Sequence, residues 1–481
     1  MTKQTTVRTR MAPSPTGEFH VGALHTLLRN LAFARKNSGQ FIIRIEDTDR
    51  QRLVKGATQK ILEVIKKFGL DWDEGPDIGG PYAPYTQSKR LKIYQDHVKQ
   101  LINQDHAYYC FCTKERLEEM RKQQQLNKQI PKYDRTCLKL DEEQVKQKLR
   151  AKTPHVIRLK MPDNQQISFT DLIRGVITFN SNDIDDQVIM KSDGYPTYHL
   201  AVVIDDHLMK ISHVIRGEEW ISSTPKHILL YQAYGWEPPI YAHTPVFLNP
   251  SGKGKMSKRN LAVSAQSYLD QGYLPEAVLN FLMIMGWAPK DKQEILSLDD
   301  FFHQFTLENI SSKSVVFDTA KLDWLNGIYI RRLTDQQLIN KLIPFIPSDF
   351  PSDKLSAVLP LIKDRLIKLS DFTPLTDFFY QKISLDSQLL VKKTTPTLAL
   401  TQLQETIHSL SQLPDWNLAP IEASIRKIQE ANHWAKSQYF MLIRLAATGR
   451  SATPPLFETI QIIGRDLTIK RLKYAHKLIT K

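Results

Sequence analysis

Chemically capable side chains concentrate in two short segments of the chain. The first, Arg10-Met11-Ala12-Pro13-Ser14-Pro15-Thr16-Gly17-Glu18-Phe19-His20-Val21-Gly22-Ala23, leads through prolines and a glycine into a stretch with helical apolar spacing. Pro13 and Pro15 fix the loop, Gly17 allows a sharp turn, and Gly22 lets a ligand approach the first helical turn. A helix N-terminus with such a backbone can bind phosphate or adenine, and His20 can donate to a phosphate oxygen. The second segment, Lys255-Met256-Ser257-Lys258-Arg259, follows Pro250-Ser251-Gly252-Lys253-Gly254. Its basic residues, set among glycines and a serine, form a cationic strip suited to neutralising charge on a polyphosphate under attack. On residue grammar alone, a turn with an incidental histidine and a plain electrostatic patch stay open as readings.

The elements that must position these segments follow from periodicity. Val7 to Ala12 reads as a strand, Val21 to Lys36 as a helix, Gln40 to Ile45 as a second strand and Gly56 to Phe68 as a further helix. Strand, helix, strand at this spacing is a parallel pair with a right-handed crossover, which places Pro13 to His20 where ligands bind in open α/β sheets. From about Asp96 to Lys191 the texture changes to a charged helical stretch, Thr113 to Lys128, and short strands near His155 to Lys160 and Gly175 to Asn180, read as an insertion. Tyr198 to Ile204 and His213 to Arg216 are expected to resume the parallel sheet, ending near Leu248. Beyond it the pattern is helical, anchored by Phe281, Trp287 and Trp324, with amphipathic spacing in Leu355 to Phe372 and Ile421 to Leu445.

The chain has 481 residues, more than one core usually holds, and its 65 Lys+Arg against 51 Asp+Glu give a formal charge of +14. Residues 331–481 hold 21 Lys+Arg and 13 Asp+Glu, a net +8. A basic helical tail behind an α/β core suits a polyanion such as nucleic acid, although a solubilising surface would have the same charge. The N-terminus has no apolar signal region, and the longest apolar stretch, Val278 to Ala288, is too short and interrupted to span a bilayer. Only three cysteines occur, in keeping with a reducing cytosol.

Together the two segments resemble the paired signatures of class I aminoacyl-tRNA synthetases, and the match narrows to the bacterial-type glutamyl-tRNA synthetase family. The resemblance extends to Arg44-Ile45-Glu46-Asp47-Thr48-Asp49-Arg50, Ser192-Asp193-Gly194-Tyr195-Pro196-Thr197-Tyr198-His199-Leu200 and Val214-Ile215-Arg216-Gly217-Glu218-Glu219-Trp220. It implies a Rossmann-like catalytic domain (1–95 and 192–248) interrupted by an acceptor-binding insertion (96–191). A helical stem-contact domain (249–330) and an all-helical anticodon-binding region (331–481) would follow. The implied partners are glutamate, ATP with Mg2+ and tRNA(Glu), in a cytoplasmic monomer without membrane contact.

By the same resemblance, Arg10 and Arg216 face the anionic side chain of the substrate, Glu46 holds its ammonium, and Ala12, Ser14, Tyr198 and Trp220 complete the pocket. Pro13, Gly17, His20, Gly22, Met256, Ser257, Lys258 and Arg259 bind ATP. His20, Lys255 and Lys258 carry the catalysis, with Lys258 foremost. Asp47 and Asp49 read as solvated ion-pair partners. The chain departs from the family pattern at Ala23, where a second histidine often stands, and at Val202, where some members carry an asparagine. His25 is expected on the helix surface. Arg365 and Arg444 are the anticodon-reading candidates, since arginine can pair with and stack on unstacked bases. Cys110, Cys112 and Cys137, with 24 residues between the last two, resemble the zinc site of some members. Lys139 occupies the place of the fourth ligand, so either Asp134 or Asp141 substitutes or the site is vestigial.

Overall fold

The computed structural model describes residues 6–254 and 264–480 and divides into two compact units, Met1–Asp270 with Pro275–Leu322, and Gln271–Leu274 with Asp323–Lys481. The first unit opens as expected. Strand β1 (Arg8–Met11) pairs in parallel with β2 (Gln40–Ile43), Arg8 opposite Gln40 and Met11 opposite Ile43, and helix α1 (Val21–Lys36) makes the crossover. In chain order there follow α2 (Ala57–Lys67), α3 (Leu91–Asn103), β3 (Ala107–Cys110), α4 (Lys114–Leu126), α5 (Glu142–Arg150), β4 (Val156–Leu159), β5 (Gln166–Asp171), β6 (Gly175–Asn180) and β7 (Val188–Met190). Next come α6 (Tyr198–Leu208), β8 (His213–Gly217), α7 (Thr224–Ala233), β9 (Ile240–Thr244), β10 (Phe247–Leu248), α8 (Ala265–Asp270), α9 (Pro275–Ile284), α10 (Leu298–Gln304), β11 (Val315–Val316) and α11 (Thr319–Arg332).

The parallel arrangement continues where the sequence resumes it, with one correction. Tyr198 to Ile204 is the start of helix α6, because a short apolar run suits a buried helix as well as a buried strand and only its extent decides. The helix runs to Leu208 and buries Leu200 through Asp206. Strand β8 then pairs in parallel with β9 along His213 to Gly217, and Ser212 N donates to Arg8 O at 3.0 Å, which sets β1 beside β8. Strand β5 joins β9 in parallel at Asp171 opposite Tyr241, while β6 pairs antiparallel with β5. A second, antiparallel sheet has the order β3, β4, β7, and β10 pairs in parallel with β11.

Helix α1 explains why this sheet is stable. Val21, Leu24, Leu27, Leu28 and Leu31, spaced by three and four, are all buried, as one apolar face requires. The opposite face is covered as well, since α1 packs on β1, β2 and β8 and also against α9 and α10. His25, Arg29 and Asn30 are therefore buried too. The expectation of a surface His25 fails for this reason: its Nε2 meets Met285 O at 3.2 Å, and its ring lies edge-on to Phe247 at 4.5 Å. Arg29 on the next turn also donates to Met285 O, so both residues hold the carbonyl that follows α9.

The second unit is helical: α12 (Asp335–Leu342), α13 (Leu355–Ile362), α14 (Phe372–Thr376), α15 (Ser387–Val391), α16 (Pro396–Ser411), α17 (Leu418–Ala431), α18 (Lys436–Thr448), α19 (Leu456–Ile463) and α20 (Arg465–Thr480). Among the described residues it contains no strand. Both amphipathic spans expected here are broken helices. Leu355 to Phe372 stops at a short 3-10 turn, Lys363–Arg365, and Ile421 to Leu445 is divided between α17 and α18. Phe281 and Trp287 are buried anchors, whereas Trp324 is 44% exposed.

Candidate active site

At the carboxyl ends of β1 and β8 lies a cavity of about 430 Å³, lined among others by Arg10, Ala12, Ser14, His20, Gly22, Glu46, Tyr198, Arg216 and Trp220. Its size is typical of small-molecule sites. The sequence-derived residues meet here because the loop after β1 is pinned to the loop after β2. Arg44 N donates to Met11 O at 2.9 Å and Glu46 N to Pro13 O at 3.0 Å, which extends the parallel pairing past the strand ends. Gly17 takes φ +156°, a conformation side chains rarely adopt, as the loop turns toward α1.

His20 is the N-cap of α1, and its Nδ1 accepts from Gly22 N at 2.9 Å. An accepting Nδ1 carries no proton, so the ring proton sits on Nε2, in the form that can donate to an anion at the helix N-terminus. A Cβ at Gly22 would stand 3.1 Å from that Nδ1, so the missing side chain keeps the cap intact. Pro13 and Gly17 belong to the same loop but are absent from the cavity wall, which includes Ala23 instead. Lys255, Met256, Ser257, Lys258 and Arg259 lie outside the described residues. The described chain beyond them returns to the first segment, because Ser264 bridges to His20 and Ala265 N donates to Phe19 O at 2.8 Å.

Charge in the cavity is arranged unevenly. Arg10 Nε bonds Asp206 at 3.1 Å, and Arg44 bonds the same carboxylate at 2.7 Å and Glu46 at 3.0 Å. Asp205, next to it on α6, takes Arg90 at 2.7 Å and the Tyr94 hydroxyl at 2.8 Å. Burial alone would loosen the proton on Arg10, but Asp206 more than offsets it and the pKa is raised. Burial likewise pushes the Glu46 carboxyl up to about 7, against the pull of Arg44 and Arg10. Asp49 faces Arg52 at 3.8 Å on the surface and is solvated as expected, whereas Asp47 is buried, its carboxylate accepting from Ser88 N at 2.7 Å and facing Arg50 at 3.7 Å.

Arg216 differs from Arg10. It is 5% exposed, yet its partners are all neutral groups: His243 Nε2 at 3.1 Å, the Tyr198 hydroxyl at 3.1 Å, His227 Nδ1 at 3.3 Å and Thr224 Oγ1 at 2.8 Å. Tyr198 in turn packs against Trp220, the ring centroids 4.3 Å apart and the planes tilted by 35°. The cavity thus offers one buried cation without an ion-pair partner among the described residues, a carboxylate at Glu46, and a helix N-terminus. Val202 packs into the apolar core and does not line the cavity. Sequence reasoning missed Asp206, His243, His227 and Thr224. The adjacent acids Asp205 and Asp206 within an otherwise apolar helix were the one available signal.

The three cysteines of the insertion also converge. Their sulfurs all lie within 4.8 Å of one another, with Cys112 and Cys137 at 3.5 Å. Asp134 is bound to Arg116, and Asp141 caps α5 through Gln144 N, so neither carboxylate joins the cluster. The oxygen that does is Tyr133 Oη, 3.3 Å from Cys112 Sγ and accepting from Cys137 N at 3.0 Å. In the second unit, Arg365 is exposed on its 3-10 turn. Arg444 is half-buried and donates to Thr453 and to Pro454 O at 2.8 Å. Burial and the nearby Arg365 charge both lower the Arg444 pKa, so the two guanidiniums are neighbours.

A helix N-terminus opening on a polar cavity of small-molecule size, with a basic helical tail behind it, is the arrangement expected of a class I aminoacyl-tRNA synthetase. Residues 6–324 match the family described as tRNA synthetases class I (E and Q), catalytic domain, and residues 337–476 match the family described as anticodon binding domain. The chain belongs to this class I family of glutamate- and glutamine-type tRNA synthetases. Its relatives include a glutamate–tRNA ligase of Dehalococcoides mccartyi (strain CBDB1), 45% identical over 98% of this chain and 97% of that one. Another is the glutamate–tRNA ligase of Clostridioides difficile (strain 630), 42% identical over 97% and 98%. The crystal structure of a glutamate tRNA ligase from Elizabethkingia meningosepticum, in complex with its amino acid, superposes with a TM-score of 0.87 at 36% identity, covering 98% of this chain and all of that one.

The Asp206 cluster yields a stability prediction. Asp206→Ala leaves Arg10 and Arg44 as buried cations short of a partner and should cost about 3–5 kcal/mol in urea unfolding. Burial would raise the Asp206 pKa, but Arg10 and Arg44 hold it below the ordinary 3.8. The contribution is therefore present above that value and lost as pH falls through the depressed one. The gap between wild type and variant should close in strong acid; a gap independent of pH, or none at pH 7, contradicts the assignment.

Proposed function

We propose that this chain is a glutamate–tRNA ligase that joins L-glutamate to ATP as glutamyl-adenylate and then transfers the glutamyl group to the 3′ end of tRNA(Glu), releasing AMP and diphosphate. The observation that supports it best is Arg216, a buried cation held by neutral acceptors and so available to an anionic side chain. In the first step the glutamate α-carboxylate attacks the α-phosphate of ATP and pyrophosphate leaves. No side-chain nucleophile is needed, since the pocket brings the two substrates together. In the second step a ribose hydroxyl of the terminal adenosine attacks the activated carbonyl and AMP leaves.

In this reading Arg216 and Arg10 hold the side-chain carboxylate, and Tyr198 and Trp220 wall the pocket with Ala12 and Ser14. Glu46 receives the ammonium. Burial pushes its carboxyl up to about 7, and an arriving ammonium would draw that value down and fix the charged form. His20 Nε2–H and the first amides of α1, beside Pro13, Gly17 and Gly22, meet the phosphates, to which Mg2+ would come bound. Lys255, Met256, Ser257, Lys258 and Arg259 would serve the phosphates of ATP, Lys258 stabilising the developing charge on the leaving pyrophosphate. The helical second unit reads the anticodon through Arg365 and Arg444. Its all-helical make-up disfavours the glutaminyl-type alternative, whose anticodon region is a β-barrel, and the intact pocket disfavours a non-catalytic binder. Residues 96–191 hold the acceptor end of the tRNA. The free thiols suit a reducing cytoplasm, where the chain would act as a monomer.

Zinc fits the insertion. Cys110, Cys112 and Cys137, with sulfurs within 4.8 Å of one another, would hold the ion as thiolates, and Tyr133 Oη, 3.3 Å from Cys112 Sγ, is the oxygen nearest to complete the set. Bound there it would tie β3 to the Thr136–Lys139 turn as a structural link.

Four measurements test these assignments. Exchange of pyrophosphate into ATP should require glutamate; no exchange with or without tRNA overturns the enzyme reading. Lys258→Ala should slow adenylate formation by about a hundredfold or more while tRNA affinity stays nearly intact, since the contact forms mainly in the transition state. Loss of tRNA binding instead would reassign that loop. Arg365→Gln should relax the choice between glutamate and glutamine isoacceptors, and unchanged charging of tRNA(Gln) removes Arg365 from anticodon reading. Protein purified without added metal should contain zinc near one per chain, reduced in Tyr133→Phe; a content near zero in wild type rejects the site.

A further inference from the structure

Arg216 is held by an arrangement whose proton positions can be worked out. Asp171 closes β5, and its Oδ1 accepts from Ile173 N and Arg174 N, both at 3.0 Å. Its Oδ2 accepts from the His243 backbone N at 2.9 Å and faces the His243 Nδ1 at 2.6 Å. A carboxylate only accepts, so the His243 proton sits on Nδ1 and Nε2 is left as an acceptor. That Nε2 receives Arg216 Nε–H at 3.1 Å, and Thr224 Oγ1 stands 3.3 Å away.

The same reasoning runs through the other arm. His227 Nδ1, facing Arg216 Nη1 at 3.3 Å, must accept, so its Nε2 carries the proton toward His199 Nδ1 at 3.1 Å. Asp171, His227 and His243 are each at most 1% exposed, which denies them water as an alternative partner. Burial, the first cause in each case, lowers the pKa of His243 and His227, and that of His199 to about 3, so all three rings are neutral. Two lines of imidazoles therefore end on one guanidinium as uncharged acceptors. They fix its plane and leave an Nη2 N–H and the whole positive charge for a ligand.

We propose that Asp171 and His243 are positioning residues for selection of the substrate side chain: by fixing the His243 tautomer they orient Arg216 without neutralising it. This rests on the reading of Arg216 as the cation that meets glutamate. Neither Asp171 nor His243 lines the cavity, so both act through Arg216. A carboxylate in the place of His243 would hold the guanidinium as firmly but cancel the charge that separates glutamate from neutral competitors. Arg10, bonded to Asp206, is held in that other way.

Asp171→Asn tests the tautomer. With the amide oxygen kept by Ile173 N and Arg174 N, the NH2 faces both the His243 N–H and Nδ1, so that Nδ1 must now accept and Nε2 carry the proton toward Arg216 Nε–H, donor against donor; the histidine spectra below report that the amide has seated this way. The KM for glutamate in aminoacylation by the full chain should rise about tenfold or more, as expected for loss of a hydrogen bond to a charged group, with the KM for ATP within about twofold. His243→Phe should behave alike, whereas His243→Gln, whose Oε1 can still accept from Arg216, should restore most of the glutamate affinity. In 15N-histidine spectra of the wild type, His243 should show the Nδ1–H form, changed to Nε2–H in Asp171→Asn. An Nε2–H wild type, an unaltered KM for glutamate in Asp171→Asn and His243→Phe, or an equal rise for glutamate and ATP overturns the proposal. Wild-type protein that shows the Nδ1–H form yet no glutamate-dependent exchange overturns the function on which it rests, leaving the tautomer assignment intact.

Discussion

The site depends on the carboxylate pair Asp205–Asp206 buried in α6. Asp206 is bonded by Arg10 from β1 and by Arg44 from just beyond β2; Asp205 is bonded by Arg90 from the segment before α3 and lies 3.7 Å from Arg44. Strands from the first part of the chain and a helix from beyond the insertion thus share one ion cluster. With Glu46 ionised, Arg10, Arg44 and Arg90 balance Asp205, Asp206 and Glu46, and the cluster is then buried without a net charge to desolvate. Such a group contributes little stability over an apolar core, but it is costly to break one partner at a time, and it fixes the register of its elements.

This balance also shapes the cavity. Because the cations around Glu46 are matched, that wall is close to neutral, and the carboxyl can sit near the middle of its titration without an opposing field strong enough to pin it. The excess charge lies across the pocket on Arg216. The two walls therefore differ in kind: one carries a carboxyl whose protonated form burial favours, the other a buried cation held by neutral acceptors.

Much of this was legible in the sequence, for identifiable reasons. The strand, helix and strand around His20 were readable because α1 and its flanking strands have unambiguous periods and the loop between them is written in Pro and Gly. The pocket residues Arg10, Glu46, Tyr198, Arg216 and Trp220 were readable as motif positions. What stayed hidden was burial of polar groups. His25 looked like a surface residue because one face of α1 already satisfied the sheet, and nothing local marks that α9 and α10 cover the other. Tyr198 to Ile204 looked like a strand because a short apolar run has no period of its own. Tyr133 was overlooked as a neighbour of the thiols because a tyrosine hydroxyl, unlike a histidine or carboxylate, is rarely sought as a ligand. Its place beside Cys112 depends on how the chain folds back, not on spacing.

On the proposed reading of Arg216 as the cation that meets the substrate side chain, discrimination between glutamate and its amide follows from the same contrast of walls. A carboxamide could still accept a hydrogen bond from Arg216, but between a charged and a neutral partner such a bond is roughly half as strong as between two ions, and the buried charge would stay unmatched. A pocket built to receive an anion rejects the isosteric neutral ligand through what it leaves unpaired, more than through any clash. That works only while no protein carboxylate reaches Arg216 first. Neutral imidazoles, hydroxyls and a phenol are the acceptors compatible with this condition, and they are what surround it. The choice of histidine over aspartate beside the recognising cation is, on this argument, itself part of the specificity.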